Sequence, residues 1–196
     1  MELEKANLIG MRLIVSHVPP LRESEIKLIT KCGISVCHTP SNSINKSNQE
    51  CEISMLTASG CDFGLGTDSA FNNSTFDLFK EMRVASLQLS PNDKEDVVNA
   101  FDVIELATLG GASVLGMEND IGSLEPGKSA DIVAVNLTDG VRSPLCNIEK
   151  LIVNRGGASQ VRQVWVRGKQ VVKDSMLTTI DSKNLSNRAQ GWNLPK

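Results

Sequence analysis

The sequence predicts an α/β fold with parallel strands, on three observations. The apolar runs RLIV, GISV and CDFGL recur with helix-length spacers between them, the order β-α-β-α-β. Each run is closed by a proton-handling residue: His17, His38 and, after a Gly-x-Gly-Thr turn, Asp68. The separations of 21 and 30 residues between them each hold a helix and two loops. Parallel neighbours would bring all three side chains out at one carboxyl edge, where α/β proteins build their sites.

Each element has its own local reason. RLIVSH reads as the first strand, and LRESEIKLITKCG as a helix with Ile26, Leu28 and Ile29 on its apolar side and Gly33 as its stop. GISVCH is the second strand. The polar, Pro- and Ser/Asn-rich TPSNSINKSN is expected to be a loop, followed by ECEISMLTASG as a helix ending at Gly60 and by the strand CDFGLG. Ser74 and Asp77 form an expected capping pair for a helix whose face is Leu78, Met82, Ala85 and Leu89. After the loop SPNDKED, a second helix runs from about Val97 to Leu115 and stops at Gly116.

Beyond about residue 120 the pattern becomes β. A Pro-Gly turn feeds ADIVAV, and QVRQVWVRGKQVV reads as two strands joined at Arg167-Gly168, with Val164 and Val166 alternating before the turn and Val171 after it. Pro144, Gly156 and Gly157 punctuate this unit, and the tail DSKNLSNRAQGWNLPK is polar enough to be helical or loosely ordered. The expected divisions are 1–118, 119–182 and a tail of 183–196.

Composition narrows the function classes. The chain has 196 residues, 40% apolar and 22% charged, with a net charge of −3, the profile of a globular protein. Scattered Lys and Arg leave no electrostatic footprint for nucleic acid or an anionic membrane. No apolar run approaches a membrane span and the start MELEKANLIG lacks a signal-peptide core, so a cytoplasmic location is expected. Five cysteines (Cys32, Cys37, Cys51, Cys61 and Cys146) contain no CxxC pair and are odd in number, so they are expected to be mostly buried thiols. Cys37 adjoins His38, but strand neighbours point to opposite faces, which argues against a nucleophile-base pair.

GTDSAFNNSTFDLFKEMRVAS, IGSLEPGKSADIVAVN and VRQVWVRGKQVV together resemble the amidohydrolase superfamily, in the branch of methylthioadenosine/S-adenosylhomocysteine deaminase, guanine deaminase and triazine hydrolases. The match runs from about Leu8 to Asp181. The resemblance implies the C-terminal part of a (β/α)8 TIM barrel, about three β-α units, with part of an accessory β-sandwich. It also implies one divalent metal, zinc or iron, and a small heterocyclic substrate. His17 matches the sixth-strand histidine that contacts water or substrate, and Asp68 the eighth-strand aspartate that binds metal and takes the water's proton, 51 residues later. His38 resembles the seventh-strand element that frames the pocket, and the rim residues Ser69 to Asn72 are expected to influence substrate choice.

A divalent ion lowers the pKa of bound water to about 7, and a neighbouring carboxylate can shuttle the proton. In the family the first-strand His-x-His, a fifth-strand histidine and an acid glutamate complete the site, but this chain has two histidines, both already assigned. One ligand of four is expected here, and three of the barrel's eight β-α units. The sequence therefore reads as a fragment completed by a missing N-terminal half or by association, a homo-oligomer included; the competing expectation is a truncated product acting by association alone. The pure 196-residue chain is expected to show no metal-dependent turnover of adenosine, guanine or triazine substrates. A steady-state assay with added zinc checks this, and turnover would contradict it.

Overall fold

A computed structural model of the chain describes residues 12–16, 18, 21–47, 56, 58–73, 75–88, 99–137 and 147–190, with Lys5 alone before them. Three strands, β1 (Ile14–Ser16), β2 (Ser35–His38) and β3 (Phe63–Leu65), form a parallel sheet in that order. Val15 pairs with Val36 and Val36 with Phe63, while Cys37 lies opposite Gly64 and His38 opposite Leu65. The pairing extends past β3, where the Gly66 N–H donates to the His38 carbonyl at 2.7 Å. All three strands thus end at one edge, as the spacing predicts.

Helix α1 (Glu23–Lys31) crosses from β1 to β2 and buries Ile26 and Ile29. Its acids lie in the first turn and Lys31 in the last, matching the helix dipole, and Gly33 at φ 62° ends it. Ile26 and Ile29 join Ile34, Val36, Leu56 and Phe63 in one apolar cluster.

The segment expected to be a loop after β2 is instead helix α2 (Pro40–Ser47). Pro40 takes the first helical position, where a missing N–H costs nothing, and the Thr39 carbonyl accepts from the N–H groups of Asn42 and Ser43. Ser41 and Asn42 are buried, so hydrogen bonds rather than an apolar stripe seat this helix. Of the next expected helix, Leu56 and Ala58 are helical and Gly60 turns at φ 71°; residues 48–55 and Thr57 lie outside the described residues.

After β3 come the short α3 (Ala70–Asn73) and α4 (Leu78–Gln88). Asp77 itself caps α4, its Oδ1 accepting from the N–H groups of Phe79 and Lys80 at 3.0 and 3.4 Å; Ser74, expected in this role, lies outside the described residues, as does Leu89. Helix α5 (Ala100–Glu105) begins with the reciprocal Asn99–Asp102 cap. It passes through a π-helical turn (Leu106–Gly110) into α6 (Gly111–Leu115), which ends at Gly116 with φ 65°. Leu65, Met82, Ala85, Val103 and Val153 form the second apolar cluster.

A four-stranded antiparallel sheet follows: β4 (Ile132–Val135), β5 (Val161–Val166), β6 (Lys169–Lys173) and β7 (Met176–Leu177). Arg167 and Gly168 turn β5 into β6 with φ of 49° and 75°, the positive values a tight hairpin demands. Helix α7 (Ile148–Arg155) was not legible; it ties in through Val153 and through Arg83, whose guanidinium donates to the carbonyls of Asn154 and Gly156 at 3.0 and 2.8 Å. In the tail, α8 (Ser182–Gln190) realises the helical option. Among the described residues no helix is long and apolar enough to cross a membrane.

Helix α6 approaches β3 closely because both surfaces are glycine. A Cβ on Gly64 would lie 2.7 Å from the Gly111 nitrogen, and one on Gly110 would lie 2.6 Å from the Phe63 carbonyl oxygen, whereas one on Gly111 meets nothing within 4 Å. Gly64→Ala is therefore expected to cost about 1–3 kcal/mol by overpacking. Gly111→Ala, in open space within a helix, is expected to be neutral or stabilising by up to about 1 kcal/mol. Denaturant midpoints of the two variants check the contrast.

Candidate functional site

The carboxyl edge is built around Asp68, three residues beyond the end of β3. Its φ of 59° is left-handed, a conformation that costs a non-glycine residue about 1–2 kcal/mol and that aspartate tolerates better than most. The turn aims the half-buried carboxylate back toward α2, where Asn42 Nδ2 donates to Oδ2 at 2.8 Å. Asn42 is 2% exposed, so this partner is rigidly placed.

Helices α2 and α3 at the edge are joined by Glu81, on α4 and fully buried. One carboxylate oxygen accepts the Ser41 N–H at 2.9 Å, next to Asn42; the other accepts from Asn73 Nδ2 at 2.7 Å. The same Asn73 amide donates to the Thr67 carbonyl at 2.7 Å, next to Asp68. Lys80 Nζ holds the far side of that amide, donating to Asn73 Oδ1 at 2.7 Å.

His38 sits beneath the edge. It is 5% exposed, its ring stacks on Phe63 with centroids 5.9 Å apart, and Nε2 lies 3.2 Å from Gln88 Oε1, the geometry of an Nε2–H donor. Burial lowers its pKa, partly offset by the bond to Gln88 and by the Glu81 charge. The ring is thus a packed, neutral group beneath the edge rather than one lining an open face. Cys37 is a half-buried free thiol whose pKa is raised by burial and then by the Asp68 charge, the wrong direction for a nucleophile. Burial likewise pushes the half-buried Cys61 up to about 11; Cys32 is also half-buried and free, and Cys51 and Cys146 lie outside the described residues. The expectation of mostly buried thiols is accordingly corrected to half-buried for these three: Cys32 and Cys61 flank the apolar cluster instead of filling it.

Of the other predicted residues, Ser69 is exposed beside Asp68 and its carbonyl accepts the Asn73 N–H at 3.0 Å. Asn72 is in α3, with its side chain outside the described residues, and His17 lies wholly outside them. Asn42, Asn73, Glu81 and Gln88 had no site role in the sequence reading, although Asn73 and Glu81 lie within the quoted GTDSAFNNSTFDLFKEMRVAS motif. Glu81 had a usable signal, because it falls three residues after Leu78 and four before Ala85, on the stripe assigned to the core.

Residues 2–171 match the family model described as the amidohydrolase family. The chain belongs to that family. A 5-methylthioadenosine/S-adenosylhomocysteine deaminase of Teredinibacter turnerae is 34% identical over 178 residues, 90% of this chain and 40% of the relative. A 5'-deoxyadenosine deaminase of Methanothermobacter thermautotrophicus is 30% identical, covering 96% of this chain and 44% of its own length. Among solved structures, an adenosine deaminase from Xanthomonas campestris with bound zinc superposes with a TM-score of 0.89 at 32% identity, over 97% of this chain and 44% of that one. An atrazine chlorohydrolase from Arthrobacter aurescens complexed with zinc shares the fold, with a TM-score of 0.86 at 24% identity over 96% of this chain and 42% of that one. The chain spans less than half the length of each of these amidohydrolases.

A catalytic zinc needs at least three protein ligands beside its open position. Among the described residues no group of three His, Cys, Asp or Glu side chains could hold a metal ion. Asp68 has the right chemistry for one ligand, a carboxylate at the carboxyl edge, but the described residues do not make a complete site.

The lowered pKa of His38 has a consequence for stability. Its neutral form is favoured in the folded state, so its contribution is present above the unfolded value of about 6.5 and lost as pH falls toward the folded value. The urea midpoint is expected to drop between pH 7 and pH 5, and His38→Gln to flatten that part of the profile. An unchanged slope in the variant would assign the loss to other groups.

Proposed function

We propose that this chain carries the catalytic carboxylate and part of the pocket of a zinc-dependent amidohydrolase that deaminates a purine nucleoside or related heterocycle. Its parallel sheet supplies three β-α units of a (β/α)8 barrel at about residues 1–118, and its antiparallel sheet supplies part of an accessory sandwich at about 119–182. The observation that carries the reading is Asp68, held in a left-handed turn at the carboxyl edge with Asn42 on one carboxylate oxygen. The other ligands and the acid glutamate would come from barrel strands that these residues do not include.

In this reading Asp68 contributes one metal ligand and accepts the proton of the attacking water, which passes on to the leaving nitrogen. Zinc, when bound, supplies water that ionises near neutral pH. Asn42 keeps the carboxylate oriented by occupying Oδ2. His17 contacts the water or the ring, and Ser69 and Asn72, at the start of and within α3, meet the heterocycle at the rim. Similarity to nucleoside deaminases at 30–34% identity favours an adenine-type ring over a triazine.

Complementation tests the reading. The segment of the Xanthomonas campestris adenosine deaminase that this chain does not cover, co-expressed with the chain, is expected to restore zinc-dependent release of ammonia from adenosine or methylthioadenosine. Asp68→Asn should abolish it, by more than the roughly 10–100-fold that loss of an outer-sphere partner costs. If the Asp68→Asn complex is soluble, loads zinc and turns over as fast as the unaltered one, the assignment is contradicted.

A further inference from the structure

We propose that Glu81 is a positioning residue for the Asp68 carboxylate, acting as a buried tie between the first turn of α2 and the segment from Thr67 to Asn73 that carries Asp68. The inference rests on reading Asp68 as the site carboxylate, but it concerns how this chain places that group, whatever the group then binds.

The geometry leaves Glu81 little other purpose. It is a fully buried acid on a helix face otherwise occupied by Met82 and Ala85, a position where an apolar residue would cost less. Its two oxygens are spent on two different segments, α2 and α3. Ser41 N–H, in the first turn of α2, takes one oxygen, so the carboxylate sits where the helix dipole favours an anion. Asn73 takes the other and hands the constraint to the Thr67 carbonyl, one residue from Asp68. Ser41 adjoins Asn42, the donor to Asp68 Oδ2. Two chains of contacts thus leave Glu81 and meet at Asp68, one through its side-chain partner and one through its backbone.

The left-handed turn at Asp68 makes such a tie necessary. A strained backbone persists only where its surroundings over-determine it. The Thr67 carbonyl and the Asn73 N–H to Ser69 carbonyl bond clamp the turn on both sides, and both run through Asn73. Asn73 cannot turn its amide over to suit a changed partner, because Lys80 Nζ donates to Oδ1 while Nδ2 serves Thr67 and Glu81. A glutamine at position 81 would keep the shape but present one N–H₂ group to a donor, so one of the two ties must break.

The test uses the whole chain, labelled for NMR, with no metal or substrate. In Glu81→Gln the sheet should remain, read from retained protection of the Val36 and Gly66 amides. Either Ser41 N–H exchange rises at least tenfold or the Asn73 side-chain amide signals move, according to which tie breaks, and the Asp68 carboxyl carbon and Asn42 side-chain amide signals are expected to move from their wild-type positions. A folded variant with Asp68 and Asn42 signals unchanged overturns the proposal, since a merely space-filling Glu81 would leave them alone. If Glu81→Gln does not fold, Asn73→Ser provides the second reading: it removes the arm from Glu81 to Thr67, together with the Lys80 contact, and leaves the Ser41 arm in place, and unmoved Asp68 signals there overturn the proposal equally. Because neither reading involves zinc or turnover, a failed complementation would leave this result standing, and the reverse holds too.

Discussion

The parallel pairing of β2 with β3 is the constraint from which the rest of the edge follows. Val36 opposite Phe63 sets the register, and the bond from Gly66 N–H to the His38 carbonyl carries it one step past the last residue of β3. Slipping the register by one residue would exchange the faces of Val36 and Cys37, exposing an apolar residue of the core and burying another in its place. It would also move the start of the Gly-Thr-Asp turn relative to α2, separating Asp68 from Asn42. The site geometry thus rests on the strand register as well as on its own side-chain contacts.

Above that register the edge is held by polar groups removed from water. Asn42, Asn73 and Glu81 are almost wholly buried and hydrogen-bonded within the edge, so their bonds gain strength from the low local dielectric. The corresponding risk is that a partly broken network is worse than none, because a buried donor or acceptor without a partner costs about 1–3 kcal/mol. Thr39 Oγ1, Ser41 Oγ and Gln88 Nε2 are buried around the same edge with no partner among the described residues, so some of that cost is already borne. The apolar clusters on either side, around Val36 and around Met82, offset it.

The strand order, the helix α1 with its apolar pair, the long helix ending at Gly116 and the Arg167-Gly168 hairpin were legible because each rests on local periodicity or turn chemistry. The place of Asp68 just beyond β3 was legible because it follows an apolar strand pattern and a glycine turn. Helix α2 was not, since its first turn is seated by the Thr39 carbonyl and by buried serine and asparagine, a composition that otherwise signals a loop. Helix α7 was missed because its register is set by contacts with α4, among them those of Arg83, 71 and 73 residues away in sequence. The position of His38 at the end of β2 was legible, but its contacts with Phe63 and Gln88 were not, because they depend on tertiary packing alone.

Metal binding by Asp68, in a site that this chain shares with further barrel strands, is the claim on which the functional reading stands. Zinc-edge anomalous diffraction from crystals of the complemented assembly tests it without relying on turnover. The expected result is a single strong peak about 2.0–2.2 Å from an Asp68 carboxylate oxygen, the bond length of a zinc-carboxylate contact. A peak at full occupancy with Asp68 outside that distance, still hydrogen-bonded only within its own loops, would contradict the claim.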